Sequence, residues 1–269
     1  MAITGTGTAA DPYIVDTWPD FVTAVKPSGV YVEVKPDTVW DFNDLFPEQA
    51  PSIVIGAVRI DGKGLVIKNP RIYGSFITFN TANGNTVTIE NLSITNFLAD
   101  GAVLDKVKGT RQVYCENVVI SGVQSSGSTL VHSAGTGGNT FRANANGGCG
   151  FSVECRGGDF LSGDSYFNFE DSVFSMSGGY IGHSTSTYPW LYNCYIDGQC
   201  DGVYMRYDSQ DVIVNCVTHI AYIRDAGHNI IVNSGRCENI SENCTAVTDE
   251  QMKDAAYLSS IGFPIGVQP

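Results

Sequence analysis

The chain has 269 residues, a formal net charge of −13 at pH 7, 43% hydrophobic and only 16% charged residues, and 30 glycines. That composition excludes a disordered chain, which would be poorer in apolar and richer in charged residues. The acidity excludes a nucleic-acid partner, because the phosphate backbone would repel it, and the length without a charged or Pro-rich break points to one large domain.

Residues 1–5 lack the basic start and apolar core of a secretion signal, and no apolar run is long enough to span a bilayer. A protein made in the cytoplasm, without membrane insertion, is expected. Residues 5–15, Gly-Thr-Gly-Thr-Ala-Ala-Asp-Pro-Tyr-Ile-Val, read as a turn-rich lead into a short strand. A helix should follow, with Thr17 as its cap, Pro19 in its first turn, and Trp18, Phe21, Val22 and Val25 on one face. Strand-like runs come next at 30–34, 52–60 and 64–67, separated by Pro36-Asp37 and Pro47-Glu48.

From residue 67 one frame recurs: an apolar residue, any residue, Asn, two residues, and usually an apolar one. It places Asn at 69, 91, 117, 193, 215 and 239, with Asp171 as a variant, so the separations are 22, 26, 54, 22, 22 and 24. A period of this size, built from β-branched and aromatic residues, predicts stacked short strands. The places two before, one after and three after each Asn are largely apolar and should face inward. The side-chain amides of Asn69, Asn91, Asn117, Asn193, Asn215 and Asn239 would then form a ladder that satisfies backbone and amide groups at a bend. Residues 122–164 break the frame with Gly-rich runs. From Thr248 a C-terminal helix is expected, opened by a Thr248/Gln251 capping box and stopped by Gly262, with Met252, Ala255 and Ala256 on its protein-facing side.

With this frame the sequence resembles the right-handed parallel β-helix proteins, which include pectate lyases, phage tailspikes and bacterial surface proteins. The resemblance covers roughly residues 60–245, and the lead-in segment with its following helix is similar to that of phage and bacterial-surface β-helical proteins. It implies an all-β fold, a single-stranded right-handed parallel β-helix of about seven or eight coils with short N-terminal and C-terminal capping helices. The domain boundaries expected are an N-terminal cap at 1–60, the β-helix at 61–245, and a C-terminal helix and tail at 246–269.

The eight cysteines include Cys115, Cys194, Cys216 and Cys237 at inward places, where a thiol is an apolar filler. No spacing suits a metal, so neither metal nor cofactor is expected. For an enzyme, the candidate catalytic residues are Asp197, Asp201, Asp208, Arg206 and His219, in an acidic cluster that also holds Asp211. His219 stands four after Asn215 as Asp197 stands four after Asn193, which would make them neighbours. Trp190, Tyr195, Tyr204 and Tyr207 are candidates for stacking on sugars or sealing a protein interface. The motifs of polygalacturonases and pectate lyases are missing. The expected function is therefore a non-enzymatic structural component of a bacteriophage particle, a decoration, fibre or tail-associated protein located in the virion. Its expected partners are other virion proteins, further copies of itself (a trimer by analogy) and a host surface polysaccharide. The competing expectation is a β-helical polysaccharide-degrading enzyme of the tailspike kind.

Overall fold

The computed structural model describes residues 3–80, 85–99, 103–106, 112–125, 248–252 and 254–260, together with the backbone of the strands between 131 and 224. Strand β1 (Tyr13–Val15) leads into helix α1 (Trp18–Ala24), whose first turn is capped by Thr17 accepting from the Asp20 N–H. Trp18, Phe21, Ala24 and Val25 are buried and Val22 packs partly against them, so the helix lies in the core by its apolar face. Then come β2 (Tyr31–Val34), β3 (Val39–Asp41), a four-residue helix α2 (Phe42–Leu45) capped by Asp41, and β4 (Ile53–Ile55).

The next strands are longer or closely spaced: β5 (Arg59–Lys68), β6 (Arg71–Ile72), β7 (Ile77–Phe79), β8 (Thr86–Thr95), β9 (Leu98–Ala99), β10 (Leu104–Lys106), β11 (Gln112–Ser125) and β12 (Val131–Ser133). They are followed by β13 (Thr140–Asn144), β14 (Cys149–Cys155), β15 (Leu161–Ser162), β16 (Ser165–Glu170), β17 (Ser172–Ser177) and β18 (Tyr180–Ile181). The last strands are β19 (Thr187–Tyr192), β20 (Tyr195–Gln199), β21 (Gly202–Tyr204), β22 (Val212–Val214), β23 (Val217–Thr218) and β24 (Ile223–Arg224).

Among the described residues, the strands divide among sheets of 16, five and three strands. In the largest, the path β1-β2-β5-β8-β11-β13-β16-β19-β22 is parallel throughout. Tyr31, Arg59, Thr88, Tyr114, Arg142, Asn168, Trp190 and Val212 share one register row along it. The five-stranded sheet runs β15-β12-β10-β7-β4 and the three-stranded one β18-β21-β24.

These connections correct the expected fold class. An all-β single-stranded parallel β-helix would confine helices to its two ends, yet here helices stand within the succession of strands. Helix α1 joins β1 to β2, which pair in parallel, and α2 lies between β3 and β4. Parallel strands joined through a helix are an α/β connection. Together with the partition into three sheets, this makes the arrangement one of α/β type, not the parallel β-helix expected. The physical reason is that the recurring frame reports a parallel neighbour but says nothing about connections. In the connections, aromatic burial decides: Trp18 packs its ring against Phe42 at 4.9 Å, Trp40 at 5.6 Å and Phe76 at 6.2 Å between centroids.

The frame's inward places around Asn69, Asn91 and Asn117 are occupied by buried side chains, among them Ile67, Ile72, Ile89, Leu92, Ile94, Cys115, Val118 and Ile120. The C-terminal residues form two short helices, α3 (Asp249–Met252) and α4 (Ala255–Ser260), where one was expected. Thr248 and Gln251 bond reciprocally, the Thr248 N–H to Oε1 at 2.8 Å and the Gln251 N–H to Oγ1 at 3.3 Å, which opens the first. Asp254 then restarts the chain by accepting from the N–H groups of Ala256 and Tyr257. Ala256 is exposed, so it does not belong to a protein-facing side.

Candidate functional site

Strands β5, β8 and β11 turn at residues with left-handed backbone: Asn69 (φ 56°), Asn91 (φ 56°) and Asn117 (φ 51°). Asn tolerates that region better than other side-chain-bearing residues because its short amide bonds locally. The amides form two rows. In one, Asn69 Nδ2 donates to Asp41 Oδ1 at 3.0 Å and Asn96 Nδ2 donates to Asn69 Oδ1 at 3.2 Å. In the other, Asn91 Nδ2 donates to Asp61 Oδ1 and Asn117 Nδ2 to Asn91 Oδ1, both at 3.0 Å. Asn69 and Asn91, successive in the sequence frame, therefore stand in different rows. The register explains it: Ile67 pairs with Ile94 and Ile60 with Ile89, so the structural repeat at this point is longer than 22.

Beside the second row lies the densest group of charges among the described residues. Glu33, Asp61, Glu90 and Glu116 hold one register position on β2, β5, β8 and β11. Asp61 and Glu90 are buried at 3% and 9% exposure. Arg59 Nε donates to Glu90 Oε1 at 2.6 Å, and its Nη2 pairs with the same oxygen. Lys63 Nζ sits 2.7 Å from Asp61 Oδ2 and 3.7 Å from Glu33 Oε2, and Arg59 Nη2 is 3.8 Å from Asp61. Asp61 Oδ1 also accepts from the Lys63 backbone N–H at 2.9 Å. Burial by itself pushes the Asp61 carboxyl up, but the bonds from Lys63 and Asn91 outweigh it, and its pKa is lowered. A carboxyl held ionised and fully engaged is unsuited to donate a proton at neutral pH. It is suited to clamp β5 to β8, and Lys63 extends the clamp to Glu33 on β2. Gly62 belongs to the clamp: a Cβ there would meet the Asn91 carbonyl oxygen at 2.5 Å, so only glycine lets β5 and β8 approach.

An open groove of about 170 Å³ runs beside the Asn91–Asn117 bond, lined by Gly64, Leu65, Leu92, Ser93 and Val119. Among the described residues, no group of three His, Cys, Asp or Glu is placed to hold a metal ion, and no helix is long and apolar enough to cross a membrane.

Of the residues singled out from sequence, Asp197 and Tyr195 lie on β20, Trp190 on β19 beside Asn168 and Val212, and Tyr204 on β21 beside Arg224. Asp201, Arg206, Tyr207, Asp208, Asp211, His219, Asn193, Asn215 and Asn239 lie outside the described residues. The strands that flank Asn193 and Asn215 do pair in register, Tyr192 with Val214 and Tyr195 with Val217. Sequence reasoning missed the charged cluster. Its signal was present, because an acidic residue directly follows Val32, Ile60, Ile89 and Cys115, each a buried residue. Compared with known proteins, the chain matches no protein-family model, no curated protein and no solved structure.

Proposed function

We propose that the chain is a structural component of a bacteriophage particle, a decoration, fibre or tail-associated protein whose outer surface meets other particle proteins or a host glycan. The observation that carries the structural part is the use made of the polar side chains. The Asp41–Asn69–Asn96 and Asp61–Asn91–Asn117 rows and the Arg59–Glu90 and Lys63–Glu33 contacts all run between neighbouring strands or the turns that end them. Such rows hold a sheet in one register and leave those carboxylates committed to their partners. The particle assignment rests on the lead-in segment, residues 5–15 with the Trp18–Ala24 helix, which is similar to that of phage and bacterial-surface proteins. A net charge of −13 suits docking on a basic partner surface.

The test pairs two measurements. An antibody against this chain should label intact particles, and the purified protein incubated with host envelope polysaccharides should leave their chain length unchanged. Release of oligosaccharides that is abolished by Asp197→Asn or Asp201→Asn would replace this reading with a polysaccharide-degrading enzyme.

A further inference from the structure

The last strand of a parallel stack leaves backbone groups that no neighbour pairs, and this chain treats its N-terminal end strands differently. At β1 the edge is covered: the lead-in folds back antiparallel, the Ile14 N–H donating to the Thr4 carbonyl at 2.9 Å and the Thr4 N–H to the Ile14 carbonyl at 3.4 Å. By contrast, β3 pairs with β5 alone. Thr38, just before it, accepts through its carbonyl from the Val66 N–H at 3.0 Å, and backbone groups alternate sides along a strand. The N–H and C=O of Val39 and the N–H of Asp41 therefore point from the other, open edge. The Val39 side chain is 51% exposed while Trp40 beside it is buried, and Leu45 on α2 is 42% exposed.

We propose that the open edge of β3 takes up an extended basic segment of a partner protein as an added strand. Charge selects that occupant. Residues 37–48 hold four carboxylates, Asp37, Asp41, Asp44 and Glu48, and no Lys or Arg. Asp37, Asp44 and Glu48 are exposed, and against them stands Lys68, in register with Asp41 on β5. A second copy of the chain would bring the same carboxylates against these, at a net charge of −13 on each copy, so repulsion opposes self-pairing.

A segment in which Lys or Arg alternates with β-branched residues answers each feature of the edge. Its backbone pairs with Val39 and Asp41, as in strand addition to other open sheets. One face carries its cations to the carboxylates, and their aliphatic stems lie over Val39. The other face continues the row of Trp40 and Ile67, where β-branched side chains suit a pleated surface. The proposal names the docking edge of the structural component proposed above and rests on that reading's basic partner. Antibody labelling of particles tests the reading and strand addition tests the edge, so the two failures are distinguishable.

The experiment titrates the full chain with a fluorescent, end-blocked peptide of alternating Lys and Val, and with one of alternating Glu and Val. Anisotropy reads binding, and hydrogen exchange with mass spectrometry reads which backbone amides become protected. The Lys peptide should bind, slow exchange at Val39 and Asp41, and weaken about tenfold from low to physiological ionic strength, whereas the Glu peptide should not bind. Val39→Pro removes an N–H that bonds to no strand, which an open edge tolerates, so thermal unfolding should stay unchanged while peptide affinity falls about tenfold or more. Should that variant unfold, the exposed pair Asp44→Lys and Glu48→Lys carries the same test, with affinity expected to fall several-fold. Absence of binding, equal binding of the two peptides, or full affinity in folded Val39→Pro would overturn the proposal. So would protection at Val54, on the likewise singly paired β4, in place of Val39, or self-association of the chain that Val39→Pro abolishes.

Discussion

Asn91 shows how much one residue does in this chain. Its backbone is left-handed at φ 56°, its Nδ2 donates to Asp61 and its Oδ1 accepts from Asn117. The two requirements separate by substitution. Asn91→Gly keeps the backbone inexpensive and loses only the two hydrogen bonds, so a loss of about 1–2 kcal/mol is expected. Asn91→Leu loses the same bonds and adds a side chain that disfavours this backbone, bringing the loss to about 2–4 kcal/mol. Urea unfolding of both variants checks the order, and equal, near-zero effects would show that the amide row does not hold β5, β8 and β11 together.

Among the elements, α1 is the one whose packing outweighs its own helix-forming signals. Its cap and first turn are local: Thr17 Oγ1 accepts from the Asp20 N–H at 3.3 Å and also donates to the Asp20 carboxylate at 2.8 Å. Seven residues of helix are marginal alone, so burial has to supply the rest. Trp18 is the centre of that burial, with Phe21, Trp40, Phe42, Phe46 and Phe76 rings around it and 3% of its own surface exposed. Trp40 is fixed in turn by its Nε1 donating to the Asp16 carbonyl at 3.1 Å. Thr17→Ala should cost about 1 kcal/mol, whereas Trp18→Ala should cost about 3–5 kcal/mol. Chemical denaturation of the two variants measures the ratio. A larger effect from the cap than from the ring would mean that α1 is held by its terminus and not by the aromatic cluster.

Across the whole molecule, acid sets two electrostatic effects against each other. Lowering the pH relieves the mutual repulsion of a chain with net charge −13, but it also protonates carboxylates that the fold holds ionised. The pKa values of Asp16, beside Lys35, and Asp41, beside Asn69, are lowered, as is that of Asp61. A lowered folded-state pKa means that the unfolded chain takes up protons first, so these groups contribute stability above the ordinary carboxylate pKa and lose it as pH falls through the folded value. The contacts act at 2.6–2.7 Å for Lys35–Asp16 and Lys63–Asp61, well inside the ~8 Å over which salt screens longer-range repulsion. The local effect therefore wins. Stability should be nearly level from neutral pH to about 5 and fall below about 4, and Asp61→Asn should flatten that fall in thermal unfolding measured against pH. A wild-type stability that rises on acidification past pH 4 would show that net repulsion dominates instead.

Local features were legible from the residues alone. The Thr17 cap and the apolar face of α1, the Thr248/Gln251 box, and the inward places around Asn69, Asn91 and Asn117 each depend on residues within a turn or a strand, where periodicity and capping chemistry suffice. Helix α2 and strand β3 were not legible, being four and three residues long, too short for any period to show. Nor could the sequence show that the Asn residues divide into two rows or that Glu33, Arg59, Asp61, Lys63 and Glu90 converge. Those facts follow from register between strands some 26 to 31 residues apart, as for Cys115 with Ile89 or Arg59 with Glu90. That register shifts at irregularities such as the one between Asp61 and Leu65. The fold class turned on the same limit. The repeated frame determined that strands would find parallel neighbours, while only the tertiary structure decided where helices enter between them, because burial of Trp18 and Phe42 against distant rings is a property of the assembled core.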